Sequence, residues 1–196
     1  MNQIQLRDLA VMTIKNPANA ARIVMATRFP REALWTTLAL AAVLNTLMFC
    51  LSDLISPAPS PFPAIFQVPV FYLAVIGFGL VASVYALLWI GGIMGGQGNL
   101  DEIMSLLIWL QAMRIAVQAV VIVLSVTIPV LAVLLSLAAS LMGVYITLHF
   151  VNEAHRFGSL GRSAFVLIGS AVGIVVFVSI LLTLVGGTLM GSQSYV

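Results

Sequence analysis

Polar and apolar positions along this chain fall into long blocks rather than short alternations. Residues 33–52 carry no charged side chain, and neither do residues 54–100. The second block opens with "SPAPSPFPAIFQVP", whose prolines forbid a regular helix, so a surface loop precedes a span over 69–93. Further apolar runs follow at 103–125, 129–151 and 163–185, the first of them interrupted by Arg114. Each reaches the roughly 20 residues needed to cross a 30 Å hydrocarbon core, and none alternates like a barrel wall. The pattern predicts an all-α polytopic membrane protein with five transmembrane helices over 31–187. A cytoplasmic segment, 1–30, precedes them, and a short outside tail, 188–196, follows.

The segment 1–30 has its own punctuation. In "NPANAARIVMATRFP", Asn16 is placed as a helix cap and Pro17 as the first helical residue. Arg22 and Arg28 flank apolar Ile23, Val24 and Met25. That mixture suits an amphipathic interfacial helix on an anionic leaflet. The alternative is a short helix packed on the membrane domain.

Composition agrees: 62% of residues are hydrophobic and 7% charged, against about 25% charged in soluble domains. The net charge of +2 matters less than its placement. Arg7, Lys15, Arg22, Arg28 and Arg31 precede the first span, which puts the N-terminus in the cytoplasm and, after five crossings, the C-terminus outside. If the run holding Arg114 were not a span, Arg156 and Arg162 would fall outside. Five spans leave seven of the eight basic residues inside, with Arg114 the eighth. The first apolar run starts only after some thirty residues, so it reads as a retained anchor in the cell inner membrane rather than a cleaved leader. No basic stripe exists for nucleic acid. Cys50 alone forms no disulfide within the chain and reads as an apolar thiol.

Arg114 lies eleven residues past Ile103, about 16 Å into the bilayer at 1.5 Å per residue. An isolated arginine there costs about 2.5–3.5 kcal/mol on insertion scales, so it is expected to face protein or water. Gln111, Arg114 and Gln118 share one helical face. No span centre holds an acid. Asn45, about 18 Å past Ala33, matches that depth best, and Ser83 and Ser140 sit at similar depths. These residues form an expected central polar layer: interhelical glue on one reading, a site for an anion, lipid headgroup or carboxylate on the other.

A second cluster is expected at the cytoplasmic mouth, with His149, Glu153 and Arg156 on one face beside Asp101 and Glu102, and Arg162 nearby. Surface ion pairing is its simplest chemistry; His149 and His155 are poorly placed to share a metal. Gly91/Gly95, Gly92/Gly96 and Gly169/Gly173, and the series Ser136, Ser140, Gly143 and Thr147, are small-residue seams suited to helix packing. "GGQG" lacks the lysine of a phosphate loop, and "GSLGRS" lacks the strand-turn-helix setting of a serine elbow. No catalytic, metal or cofactor arrangement is expected.

Three stretches carry a family resemblance: "GGQGNLDEIMSLLIWLQAMRIAVQ", "YITLHFVNEAHRFGSLGRSAFVLIG", and "NPANAARIVM" followed by "ALWTTLALAAVLNTL". Together they resemble the Yip family, the Ypt-interacting membrane proteins, in its bacterial branch. The resemblance implies five spans, a cytoplasmic N-terminus and an outside C-terminus. It also implies a non-enzymatic, membrane-organising or adaptor role, which in eukaryotic relatives is linked to trafficking and small GTPases. Arg114 is the departure, standing where an apolar residue or proline is expected. Its rival implication is a small transporter or anionic-lipid-binding protein. The expected partners are membrane lipids, anionic ones included, and other membrane proteins or further copies of the chain.

Overall fold

The computed structural model describes residues 6–55 and 67–190, with side chains described as far as Ile180. Among them seven helices succeed one another: α1 (Leu6–Lys15), α2 (Pro17–Ala26), α3 (Arg31–Ile55), α4 (Pro69–Ile93), α5 (Leu100–Thr127), α6 (Pro129–His155) and α7 (Leu160–Met190). Among the described residues there is no strand. Five helices, α3 to α7, are long and apolar enough to cross a membrane. The proline-rich loop, 56–66, and the end of the expected tail, 191–196, lie outside the described residues. α7 itself continues to Met190.

The helix ends follow the sequence punctuation. Asn16 accepts the Asn19 N–H at 3.1 Å through its side chain, and Pro17 opens α2, where a missing N–H costs nothing. Asn99 caps α5 in the same way, accepting from the Glu102 N–H at 2.9 Å. Pro69 and Pro129 open α4 and α6. α4 stops at a turn in which Gly95 takes φ +81°, a left-handed conformation that a side chain would strain. α6 stops where Arg156 itself enters that region at φ 56°.

Helix packing closes a ring in the order α3, α5, α6, α7, α4 and back to α3. α1 and α2 pack on one end of it, against α5 and α6; that end is called proximal, and the other distal. The expected 1–30 segment is thus two helices. Ala20, Ala21 and Val24 of α2 are buried, so its apolar face meets protein, as in the alternative of a helix packed on the membrane domain.

Burial is uneven along the bundle. Proximally, Leu34, Leu38, Val84, Leu87, Met104, Phe150, Val151 and Val166 form one core. Distally, α5 buries only Ile122 beyond Leu106, and α6 only Ala132 before Ile146. Nothing from Ala171 to Ile180 of α7 is buried. An apolar face left exposed is what lipid contact requires, since hydrocarbon provides no force for closing helices together.

Candidate functional site: two polar levels in the bundle

At the proximal end, three ion pairs each join different elements. Arg22 of α2 donates to Glu153 of α6 through Nε at 2.8 Å and Nη2 at 3.1 Å. Arg31 of α3 reaches Asp101 of α5 at 2.8 Å. Arg156, just past α6, holds Glu102 of α5 with bonds of 2.8 and 3.3 Å and also donates to the Gln97 carbonyl at 3.1 Å. The two forked pairs use the planar geometry that guanidinium shares with carboxylate. Hydrogen bonding to the Glu153 carboxylate, and then its charge, raise the Arg22 pKa above its ordinary value.

The expected mouth cluster is therefore split and re-partnered. Asp101, Glu102, Glu153 and Arg156 all pair, but Glu153 and Arg156 do not share a helical face. The left-handed turn at Arg156 swings its side chain toward α5. His149 makes no ion pair; its ring meets that of Tyr145 edge-on at 4.6 Å. Arg162 is exposed and pairs with no described residue. Arg22 and Arg31, the partners that complete the belt, were not singled out by local spacing because their acids lie 131 and 70 residues away.

His155 was the other omission. Its side chain is buried, with Nδ1 3.1 Å from the Val151 carbonyl and the ring stacked on Phe157 at 5.2 Å. The ring fills a slot walled by Gly91, Gly96 and Gly98, and a Cβ at Gly91 or Gly96 would overlap it. The carbonyl of His155 also accepts the Gln97 N–H at 3.0 Å. Its Nε2 makes no well-formed hydrogen bond with a described residue, although the Leu87 carbonyl lies within its reach. The glycines in "GGIMGGQG" thus act here as room for an imidazole. Gly91 and Gly96, read as parts of helix-packing seams, serve this slot, whereas Gly92 and Gly95 face open space. Gly169 and Gly173 do receive a neighbouring helix, through Ile90 of α4.

Above this level, Thr13 of α1 is fully buried and accepts the Trp109 indole N–H at 2.9 Å. Next comes the central polar layer, which assembles only in part. Asn45, 4% exposed, donates from Nδ2 to the side-chain Oε1 of Gln111 at 3.2 Å and to the Ala41 backbone carbonyl at 2.8 Å. That bond joins α3 to α5. Ser83 and Ser140 instead donate to Gly79 and Ser136 on their own helices, at 2.7 and 2.8 Å. The hydroxyl of a helical serine reaches the carbonyl four residues back more easily than a neighbouring helix. Ser140 and Ser136 are exposed and Gly143 faces open space, so that small seam is not buried within this chain.

Arg114 and Gln118 make no hydrogen bond or ion pair with a described residue, and Arg114 is exposed, contrary to the expectation of an enclosed guanidinium. The reason lies in the bundle, not the helix. Arg114 follows Leu107 by seven residues and Leu110 by four, on one stripe. Leu107 and Leu110 line a small apolar cavity with α4 and α6. Along this stripe burial gives way from the cavity wall at Leu107 and Leu110 to exposure at Arg114. Among the described residues, no group of three His, Cys, Asp or Glu side chains is placed to hold a metal.

A family model, the Yip1 domain, matches residues 11–193. No curated protein and no solved structure matches the chain. The match takes in α2 to α7 entire, including the ion-pair belt, the imidazole slot and the Asn45–Gln111 contact. With five apolar helices of crossing length, the chain belongs to the Yip family and is a multi-pass membrane protein built as a helix bundle.

Proposed function

We propose that this chain is a non-enzymatic adaptor of the bacterial branch of the family, seated in the inner membrane with its proximal end in the cytoplasm. Seven of the eight basic residues belong to the proximal end, the asymmetry that marks a cytoplasmic face. One observation carries the adaptor reading. α1 and α2 are fixed to α5 and α6 by Thr13–Trp109 and Arg22–Glu153, yet Leu6, Val11, Ile14 and Phe29 stay exposed beside Arg7, Lys15 and Arg28. A mounted apolar face edged with cations that form no ion pair with a described residue is a platform for an acidic partner or leaflet.

The test is capture of the full chain from native membranes, wild type against a variant with Arg7, Lys15 and Arg28 all changed to Gln. The reading expects a protein held in fixed ratio by the wild type and released by the variant, with both chains remaining in the membrane. Recovery of the wild type free of any bound protein overturns it. A fusion reporter at each terminus tests the orientation separately, and both reporters on one side would refute it.

A further inference from the structure

α1 sits deeper along the bundle than its place near the N-terminus suggests. The ion pairs Arg31–Asp101, Arg156–Glu102 and Arg22–Glu153 mark the proximal border, and two of their acids stand in the first turn of α5. Trp109, which α1 holds through Thr13, stands seven residues beyond Glu102, about 10 Å up α5 at 1.5 Å per residue. A helical side chain leans roughly one turn toward the N-terminus, so the bond itself lies about 5 Å inside that border. Trp89 marks a similar level on α4. It is 72% exposed and two residues distal to Gly91 of the His155 slot, and tryptophan is enriched where hydrocarbon meets headgroups.

The two faces of α1 differ in kind. Thr13 is fully buried, and Leu9 packs against the core beside it. The opposite face carries Arg7, Val11, Ile14 and Lys15, all exposed. Val11 and Ile14 keep 43% and 49% of their surface open, and Val11 has a cation one turn to either side. Asp8 is the one acid on that face, and none of the three charges pairs with a described residue. α2 offers no such face, because Ala20, Ala21 and Val24 turn to protein.

We infer that α1 lies within the proximal leaflet, with Val11 and Ile14 among the acyl chains of anionic phospholipid and Arg7 and Lys15 on its phosphates. A helix lying on a membrane buries its apolar face about 5–10 Å into the boundary between headgroups and chains, the level at which Thr13 meets Trp109. Two cations against one acid favour an anionic headgroup over a zwitterionic one. A protein would have to enter the membrane to cover Val11. This placement rests on the platform reading above and deepens it: α1 takes lipid, and the exposed corner at Arg28 and Phe29 is left for a protein.

Purified full-length chain in vesicles of equal phosphatidylglycerol and phosphatidylcholine tests this, with bromine on the acyl chains of one lipid or the other. In a Cys50→Ser background, a fluorophore is attached at Val11→Cys, at Ile14→Cys, at Leu40→Cys on the exposed wall of α3, or at Asn19→Cys on α2. Brominated lipid is expected to quench the probes at 11 and 14 as it does the probe at 40. Bromine on phosphatidylglycerol should quench the first two at least twofold more than bromine on phosphatidylcholine. Aqueous iodide should quench the probe at 19 alone. Arg7→Gln with Lys15→Gln should make the two lipids equal while quenching persists. Quenching at 11 and 14 by iodide, or by both lipids equally without those substitutions, would overturn the placement. Either position decides alone should the other variant fail to fold. No other protein is present, so failure here leaves the adaptor reading standing, and capture of a chain free of bound protein leaves this placement standing.

Discussion

The indole N–H of Trp109 donates to the hydroxyl of Thr13, a side chain with no solvent exposure that itself donates to the Leu9 carbonyl at 2.8 Å. One hydroxyl thus spends its donor inside α1 and its lone pair on α5. Thr13→Val keeps the shape and strands the indole donor, which costs about 1–3 kcal/mol for a buried group. The expected readout is faster proteolysis within residues 6–26 at an intact five-helix core. Trp109→Phe removes the donor along with its need, so in a double-mutant cycle the second substitution should add little to the first.

Gly91→Ala and Gly96→Ala should be the most damaging small changes at the proximal end. Each drives a methyl into the buried His155 ring. Overpacking of this kind costs about 1–3 kcal/mol. Gly92→Ala, on the same helix with open space before it, should be neutral or stabilising. Adding His155→Ala should recover part of the Gly91→Ala loss; thermal melting of the four variants in one detergent checks this.

Asn45→Leu should weaken the contact between α3 and α5 by about 0.6 kcal/mol, the average for hydrogen bonds between membrane helices, and by no more than roughly 1.7. Ser83→Ala and Ser140→Ala should cost less, because their hydroxyls serve only their own helices. Steric-trap unfolding in bilayers would rank the three.

Exchanging charges separates attraction from mere proximity. Arg22→Glu places two acids face to face and should loosen α2 from α6, exposing Val24 to labelling by a thiol reagent in a Val24→Cys background. Arg22→Glu combined with Glu153→Arg should restore protection. Added salt should raise the labelling of the Val24→Cys parent and leave the double reversal similarly salt-sensitive, since both pairs are open to screening.

How much was legible in advance depended on how far each cause reaches along the chain. Uncharged runs bounded by prolines and asparagines mark the helices because capping and bilayer length act locally; Asn16, Pro17 and Pro129 sit as their chemistry requires. Counting residues from the span ends set Asn45 level with Arg114, because helical rise turns sequence into depth; its bond is to Gln111 on the same face, one turn nearer the proximal end. The same count misled for Ser83 and Ser140, since depth says nothing about whether a hydroxyl turns back to its own helix. Arg22 could not be assigned to Glu153 from spacing, because that pair exists only once α2 folds beneath α6. Nor could Arg114 be seen as exposed: Leu107 and Leu110 on its stripe line an interior cavity, and how far that enclosure extends along the helix is a property of the whole bundle.

The imidazole slot sets how this bundle can move. Because one ring is gripped by the turn after α4 and carried by the end of α6, those two links cannot slide past each other without ejecting it. A tilt of α4 against α6 about the ring is the motion that leaves it seated, as the arms of a pair of tongs swing on their rivet. A bilayer that thins or thickens would be expected to change that tilt and leave the rivet in place.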